Sequence, residues 1–216
     1  MSEVVLDDYR RYIGVKGPAT VLHNFVADRF FSQAPRHWAP GKPLKLISVG
    51  TLKPAKNYAF LIRACKKLPQ YCTLDIYGDG PLKEELQDLI EKEKAPVRLC
   101  GGRSDIDTLL PLYDVFVMSS SVEGHPVALV EAMASGLPAI MSDIPVLHEA
   151  TGGKGIYFSL EKPEAFTNAI RDILDGKTDL NEFAVHNHQY AQQTARKEGY
   201  LNRLMELYES TLNNRK

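Results

Sequence analysis

Two glutamates and a lysine carry the clearest chemistry in this sequence. Glu123 and Glu131 stand with seven residues between them in the stretch 119–138, SSSVEGHPVALVEAMASGLP, and Lys56 follows a glycine-led loop that starts at Gly50. An ionised carboxylate only accepts hydrogen bonds, so it suits hydroxyl-rich groups rather than phosphate. Between the two glutamates the chain reads as a loop opening a helix near Pro126, since proline is favoured at the first helical position. The first N–H groups of a helix lack internal partners and carry partial positive charge, which makes an anion site. An ammonium such as that of Lys56 would offset negative charge moving onto a leaving phosphate. A diphosphate flanked by two sets of sugar hydroxyls, the plan of a nucleotide sugar, matches all of these groups together. The plain alternative is a strand, a loop and a helix with two solvated glutamates and a surface lysine.

The elements that must position these residues follow from the spacing of apolar residues. Short β-branched and apolar runs predict strands at 44–49, 73–77, 97–100, 115–118, 138–141 and 155–158. Helical spacing predicts helices at 58–67, 82–93, 104–110 with Ser104 as cap, 126–134 with Gly136 just beyond its end, and 163–174. Residues 180–213 are helical by composition, and 194–211 carry a broad apolar face. Residues 4–12 suit a short amphipathic helix and 19–22 a short strand, while 34–43, with three prolines and a glycine, read as an irregular connector. Strands alternating with helices define an α/β protein with a doubly wound, Rossmann-like parallel sheet. Ligands bind such sheets outside the carboxyl ends of the strands. The loops 50–56, 78–80, 101–103 and 119–126 all lie at that edge, and their glycines permit close backbone approach.

Composition excludes several classes. A chain of 216 residues that is 44% hydrophobic can bury the core of one large domain, with or without an attached fragment. A net charge of −1 gives no basic excess for nucleic acid. No apolar run is long enough to cross a membrane, and the N-terminus, MSEVVLDDYRRY, is not a signal peptide. Cys65, Cys72 and Cys100 have no metal spacing and read as buried thiols of a reducing compartment. His186 and His188 are two apart on an expected helix and face different ways, and the remaining histidines form no zinc pattern. Gly78-Asp79-Gly80 follows the second strand and lacks the third glycine of a dinucleotide fingerprint.

The stretch 119–138 resembles the signature of retaining, nucleotide-sugar-dependent glycosyltransferases of the GT-B fold, the group 1 glycosyl transferases. The resemblance implies that Glu123 orients the donor sugar as a catalytic residue and that Glu131 holds the ribose diol. It assigns the distal phosphate to the backbone of Gly124, His125, Pro126, Val127 and Ala128. The segment VGTLKPAK is similar to the family's Val-Gly-Arg-Leu run followed by a lysine, which places Gly50 and Lys56 on the diphosphate. Thr51 stands where the family has arginine, so one charged clamp is replaced by a hydroxyl without a bidentate fork; Lys53 is a candidate substitute. Arg103 lies where the family places the base. HNFVADRF resembles the family's Asn-Gly-Val-Asp crossover turn at Asn24, Val26, Asp28 and Phe30, with Phe25 in place of the glycine. Glu149 resembles a glutamate the family often shows after its fifth strand, with a structural or loop-ordering role expected.

On this resemblance the chain is one half of a GT-B fold. Residues 1–43 are a remnant of an N-terminal domain and the crossover, 44–193 the donor-binding domain, and 194–216 the C-terminal helix. The implied activity is transfer of a sugar from a UDP- or GDP-sugar to a hydroxyl acceptor with retention, in bacterial surface polysaccharide or glycolipid synthesis. No metal or other cofactor is required, and no nucleic acid partner is expected. The acceptor domain is absent, so the chain alone is expected to be inactive. A cytoplasmic location is expected, with peripheral attachment to the inner face of the membrane through that absent domain. Three alternatives stay open: a non-catalytic nucleotide-sugar binding module, an epimerase or phosphorylase of the same fold, and a generic dinucleotide-binding domain.

Overall fold

The computed structural model describes residues 2–14, 17, 19–35 and 37–213. The chain opens with α1 (Glu3–Asp8), continued by a π-helical turn at Tyr9–Ile13, and then a 3-10 turn at Asp28–Phe31. Regular alternation starts with β1 (Leu44–Val49), α2 (Tyr58–Cys65), β2 (Cys72–Tyr77), α3 (Lys83–Glu93) and β3 (Val97–Gly101). It continues through α4 (Ile106–Leu109), β4 (Val115–Met118), α5 (Val127–Ala134), β5 (Ala139–Ser142), α6 (Pro145–Ala150) and β6 (Ile156–Phe158). Three helices close the chain: α7 (Pro163–Leu174), α8 (Leu180–Thr194) and α9 (Lys197–Asn213).

The six strands form one parallel sheet in the order β3-β2-β1-β4-β5-β6. β1 pairs with β2 on one side and with β4 on the other. The order therefore reverses between β1 and β4, where successive crossovers leave for opposite faces. A crevice opens at the carboxyl ends of those two strands, the place where doubly wound sheets bind ligands.

Both faces of the sheet are covered, so its strands are nearly continuous apolar runs. Leu44, Leu46, Val115 and Val117 pack with Leu61 and Ile62 of α2, Leu86 of α3 and Phe166 and Ile170 of α7. The alternate residues Ile47, Phe116 and Met118 pack with Leu129 and Met133 of α5, Leu147 of α6 and Ala191 of α8. The segment before β1 is anchored in the second layer: Val26, Phe30 and Phe31 are buried there, and the Val26 N–H donates to the Ala195 carbonyl at 2.9 Å. Two buried polar side chains of the strands, Ser48 and Asp75, are paired. The Ser48 hydroxyl donates to the Val117 carbonyl at 2.7 Å. Asp75 accepts two bonds from Arg98, at 2.8 and 2.6 Å, and one from the Tyr113 hydroxyl at 2.6 Å. Burial pushes the Asp75 carboxyl up, but those bonds outweigh it and hold it below the usual range.

Several local expectations need correction. Residues 19–22 join no strand of the sheet, and the Val26 N–H shortly after them donates to the Ala195 carbonyl at the end of α8. The short helix after β3 has Asp105, not Ser104, at its N-cap, and it passes into a 3-10 turn at Leu110–Leu112. Pro126 is the N-cap of α5 rather than its first helical residue. Residues 180–213 are two helices broken at Ala195, whose carbonyl accepts the Val26 N–H. Cys65 and Cys72 are buried as expected, but Cys100 is half-buried. On α9, Leu201, Met205, Tyr208 and Leu212 are exposed.

Phe116, fully buried in the central strand β4, tests the layer assignment. Phe116→Ala is expected to cost about 3–5 kcal/mol in urea denaturation, the range for truncating a buried aromatic.

Candidate functional site

The loops after β1 and β4 meet across the crevice. After β1, residues 50–53 lead into a 3-10 turn at Pro54–Lys56, and Asn57 then adopts a left-handed conformation with φ 50° before α2 begins. Asparagine reaches that region more readily than most residues because its short amide can bond locally. The Lys56 side chain folds back over Gly50, where an added Cβ would lie 3.0 Å from the Tyr58 hydroxyl and 3.3 Å from Lys56 Cε. The β4 loop is stitched to this turn. The Ser119 hydroxyl lies 2.9 Å from the Lys56 carbonyl and 3.0 Å from that of Asn57, and the Ser121 N–H donates to the Ala55 carbonyl at 2.9 Å. The side chains close the same seam: Lys56 Nζ donates to Glu123 Oε1 at 2.6 Å, with only 15% and 9% of the two side chains exposed.

The entry to α5 lies beside that pair. Among the described residues, the N–H groups of Gly124, His125 and Ala128 donate to no protein acceptor. Pro126 has no N–H to offer, and the Val127 N–H turns back to the His125 carbonyl at 2.9 Å. The amide set drawn from 124–128 is therefore reduced to three free donors. An added Cβ on Gly124 would meet nothing within 4 Å, so this glycine leaves open space at the rim. At its far end α5 stops as expected. Gly136, at φ 76°, and Leu137 donate to the Met133 and Ala132 carbonyls, which is a Schellman motif.

Glu131 is half-buried on α5. Burial pushes its carboxyl up, opposed by Arg29 and reinforced by Asp107. Arg29 and Asp107 themselves form an ion pair at 3.5 Å. Asp105-Ile106-Asp107 is an Asp-x-Asp sequence, and its two carboxylates are engaged separately. Asp105 holds Arg103 through bonds of 2.8 and 2.5 Å, and Asp107 holds Arg29. Arg103 is thus an exposed side chain tied to its own loop. Thr51 is exposed at the crevice rim. Among the described residues, no group of three or more His, Cys, Asp or Glu side chains is arranged to hold a metal ion.

The glycines of the β2 loop pack against the β1 loop. An added Cβ on Gly78 would fall 2.0 Å from the Gly50 carbonyl oxygen, and one on Gly80 would fall 2.6 Å from the Leu52 backbone. These glycines let the β2 loop press against the β1 loop. Asp79 fixes the neighbouring loop by accepting the Gly102 N–H at 2.7 Å.

His125 sits against His23, with ring centroids 5.4 Å apart. Burial, together with the nearby His23, pushes the His125 imidazole down to about 4, so it is neutral at pH 7.

Comparison with known proteins agrees with this geometry. The family model for glycosyl transferases group 1 matches residues 31–194, more than half of the chain. The chain belongs to that family. It is 29% identical over 150 residues to the GtfA subunit of the UDP-N-acetylglucosamine–peptide N-acetylglucosaminyltransferase of Streptococcus agalactiae, covering 67% of this chain and 29% of that protein. It is 32% identical over 139 residues to an Escherichia coli UDP-Gal:alpha-D-GlcNAc-diphosphoundecaprenol alpha-1,3-galactosyltransferase, covering 60% of this chain and 36% of that one. The chain thus spans about a third of the length of these curated relatives. Sucrose-phosphate synthase from Thermosynechococcus elongatus superposes with a TM-score of 0.85 at 19% identity, over 99% of this chain and 58% of its own. At that identity the match shows the fold.

Two measurements check the energetics of the site. Lys56→Met leaves the Glu123 carboxylate sequestered without its cation. It is expected to cost roughly 1–3 kcal/mol in urea denaturation, the penalty of an unpaired buried acceptor, and Lys56→Met/Glu123→Gln is expected to recover most of that loss. For Glu131, a carboxyl raised in the fold above its usual 4.5 supports stability when protonated, and loses that support as pH rises through the raised value. Glu131→Gln is therefore expected to gain stability relative to the native chain as pH rises from 4 to 7, read from thermal midpoints across that range.

Proposed function

We propose that this chain is the nucleotide-sugar-binding part of a group 1 glycosyltransferase. The observation that carries the reading is the Lys56–Glu123 pair, closed across the β1/β4 crevice beside the free N–H groups of Gly124, His125 and Ala128. Lys56 keeps two further N–H donors and Glu123 keeps one oxygen without a protein partner, so each can serve a ligand while still paired. In this reading the distal phosphate lies on the three amides and Lys56. Glu123 accepts from hydroxyls of the donor sugar, and Glu131 accepts from the ribose diol. Cationic and amide groups then stabilise the departing diphosphate, and no metal or other cofactor is called for.

The transfer proposed is from a nucleoside diphosphate sugar to a hydroxyl acceptor with retention, in assembly of a surface polysaccharide or glycolipid. The relatives named for UDP-sugars favour a uridine donor over a guanosine one. A second domain supplies the acceptor and excludes water, so the chain on its own binds donor weakly and transfers no sugar. Among the described residues no helix is long and apolar enough to cross a membrane; a cytoplasmic location, with membrane contact through the second domain, is part of the same proposal. Thr51 favours one second reading, a non-catalytic nucleotide-sugar module, because the usual charged clamp is missing there.

Calorimetric titration with UDP, GDP and ADP tests the proposal. One diphosphate is expected to bind, and Glu131→Ala is expected to abolish the signal while leaving the chain folded. Absence of binding by any of the three to the folded native chain contradicts the reading. Thr51→Arg is expected to tighten the binding by about 1.5–3 kcal/mol, the scale of a charge-assisted hydrogen bond.

A further inference from the structure

Glu149, on α6, takes no part in the donor contacts above, yet it gathers two separate segments that precede β1. Its Oε1 accepts the Glu3 N–H at 2.8 Å and lies 2.9 Å from His23 Nε2, and its Oε2 accepts the Val4 N–H at 3.1 Å. The two N–H groups belong to the first turn of α1, where a helix has no partners of its own. Ser2 takes the next one, accepting from the Val5 N–H at 3.2 Å. Burial pushes the Glu149 carboxyl up, but these hydrogen bonds more than offset it and keep it low, so it is ionised at pH 7.

The contact does not stop at His23. Its ring lies against that of His125, tilted by 41°. His125 belongs to the anion loop, and its backbone N–H is one of the three free donors there. Its Nδ1 is buried without a partner, and the ring borders a cavity of about 30 Å³ that is also lined by Ser2, His23, Asn24 and Glu149. Val130, Met133 and Val146 line the same cavity, which has room for about one water-sized molecule. A continuous path of contacts therefore runs from the start of α1, through Glu149 and His23, to the backbone that faces the crevice.

We propose that Glu149 is a positioning residue for the anion loop. By tying α1 and His23 to α6 it fixes the wall on which His125 is seated, and so sets the aim of the Gly124 and His125 N–H groups. Donor affinity then depends on where α1 and His23 sit, which couples the crevice to whatever moves them. The consequence for affinity rests on the donor reading; the geometric part does not.

The test is Glu149→Gln, which keeps the volume and removes the charge and one acceptor. In amide NMR spectra of the folded chain, the Gly124 and His125 resonances are expected to move, while those of Val97 and Leu99 on the distant edge strand stay in place. UDP affinity is expected to fall roughly fivefold or more, the lower range of site-to-site coupling. Glu149→Asp, still charged, is expected to recover part of the loss. A purely structural glutamate would lower the thermal midpoint and leave the affinity of the folded chain unchanged, and that result overturns the proposal. Unmoved Gly124 and His125 resonances overturn it as well, whether or not the native chain binds UDP. Moved resonances in a chain that binds no UDP uphold the positioning and reject the donor reading. His23→Phe, which keeps a ring against His125 but loses the bond to Glu149, must move the same two resonances, and it serves if the Glu149 variants do not fold.

Discussion

The ion pair between Lys56 and Glu123 is the contact on which the candidate site depends. Strand order reverses between β1 and β4, so the loops leaving those strands diverge and need something to join them. Four hydrogen-bond contacts of the backbone and serines draw the loops together, and the ion pair completes the seam at 2.6 Å. Removing two charges from water is costly, and a sequestered pair of this kind contributes little net stability compared with apolar residues of similar size. The pair stands at the carboxyl edge of the sheet, where doubly wound folds bind ligands, and the proposed donor site is built on it.

Around that pair the structure separates two uses of small residues. Gly78 and Gly80 let one loop press on another, which builds a firm floor for the crevice. Gly124 opens onto space, which leaves room for a ligand at the start of α5. The half-buried Glu131 adds a cost of its own, since burial opposes its charge. The apolar layers on the two faces of the sheet offset such a cost.

Much of the framework is legible in the sequence, for a physical reason. A parallel sheet covered on both faces turns its strands into short apolar runs, and β1, β4 and α7 stand within a residue of where those runs and helical spacings place them. Elements set by tertiary contact are harder to see. At the break at Ala195 the carbonyl accepts the Val26 N–H, and residues 19–22 stay out of the sheet. The types and spacing of Glu123, Glu131 and Lys56 mark the crevice. Their sequence does not reveal that Lys56 already holds Glu123, that Val127 has turned its N–H inward, or that Arg103 is bound by Asp105. Such pairings join residues far apart in the chain or depend on the local turn. Glu149 is the extreme case: its partners lie more than a hundred residues away, and no local pattern announces them.

Amide NMR mapping of the native chain titrated with UDP tests the central claim most directly, because it reports where the ligand sits as well as whether it binds. The account predicts saturable shifts at Gly50, Gly124, His125 and Ala128, together with a change at the Lys56 ammonium as its bond to Glu123 is shared with phosphate. Shifts centred away from the β1/β4 crevice, or none at millimolar UDP, would contradict it.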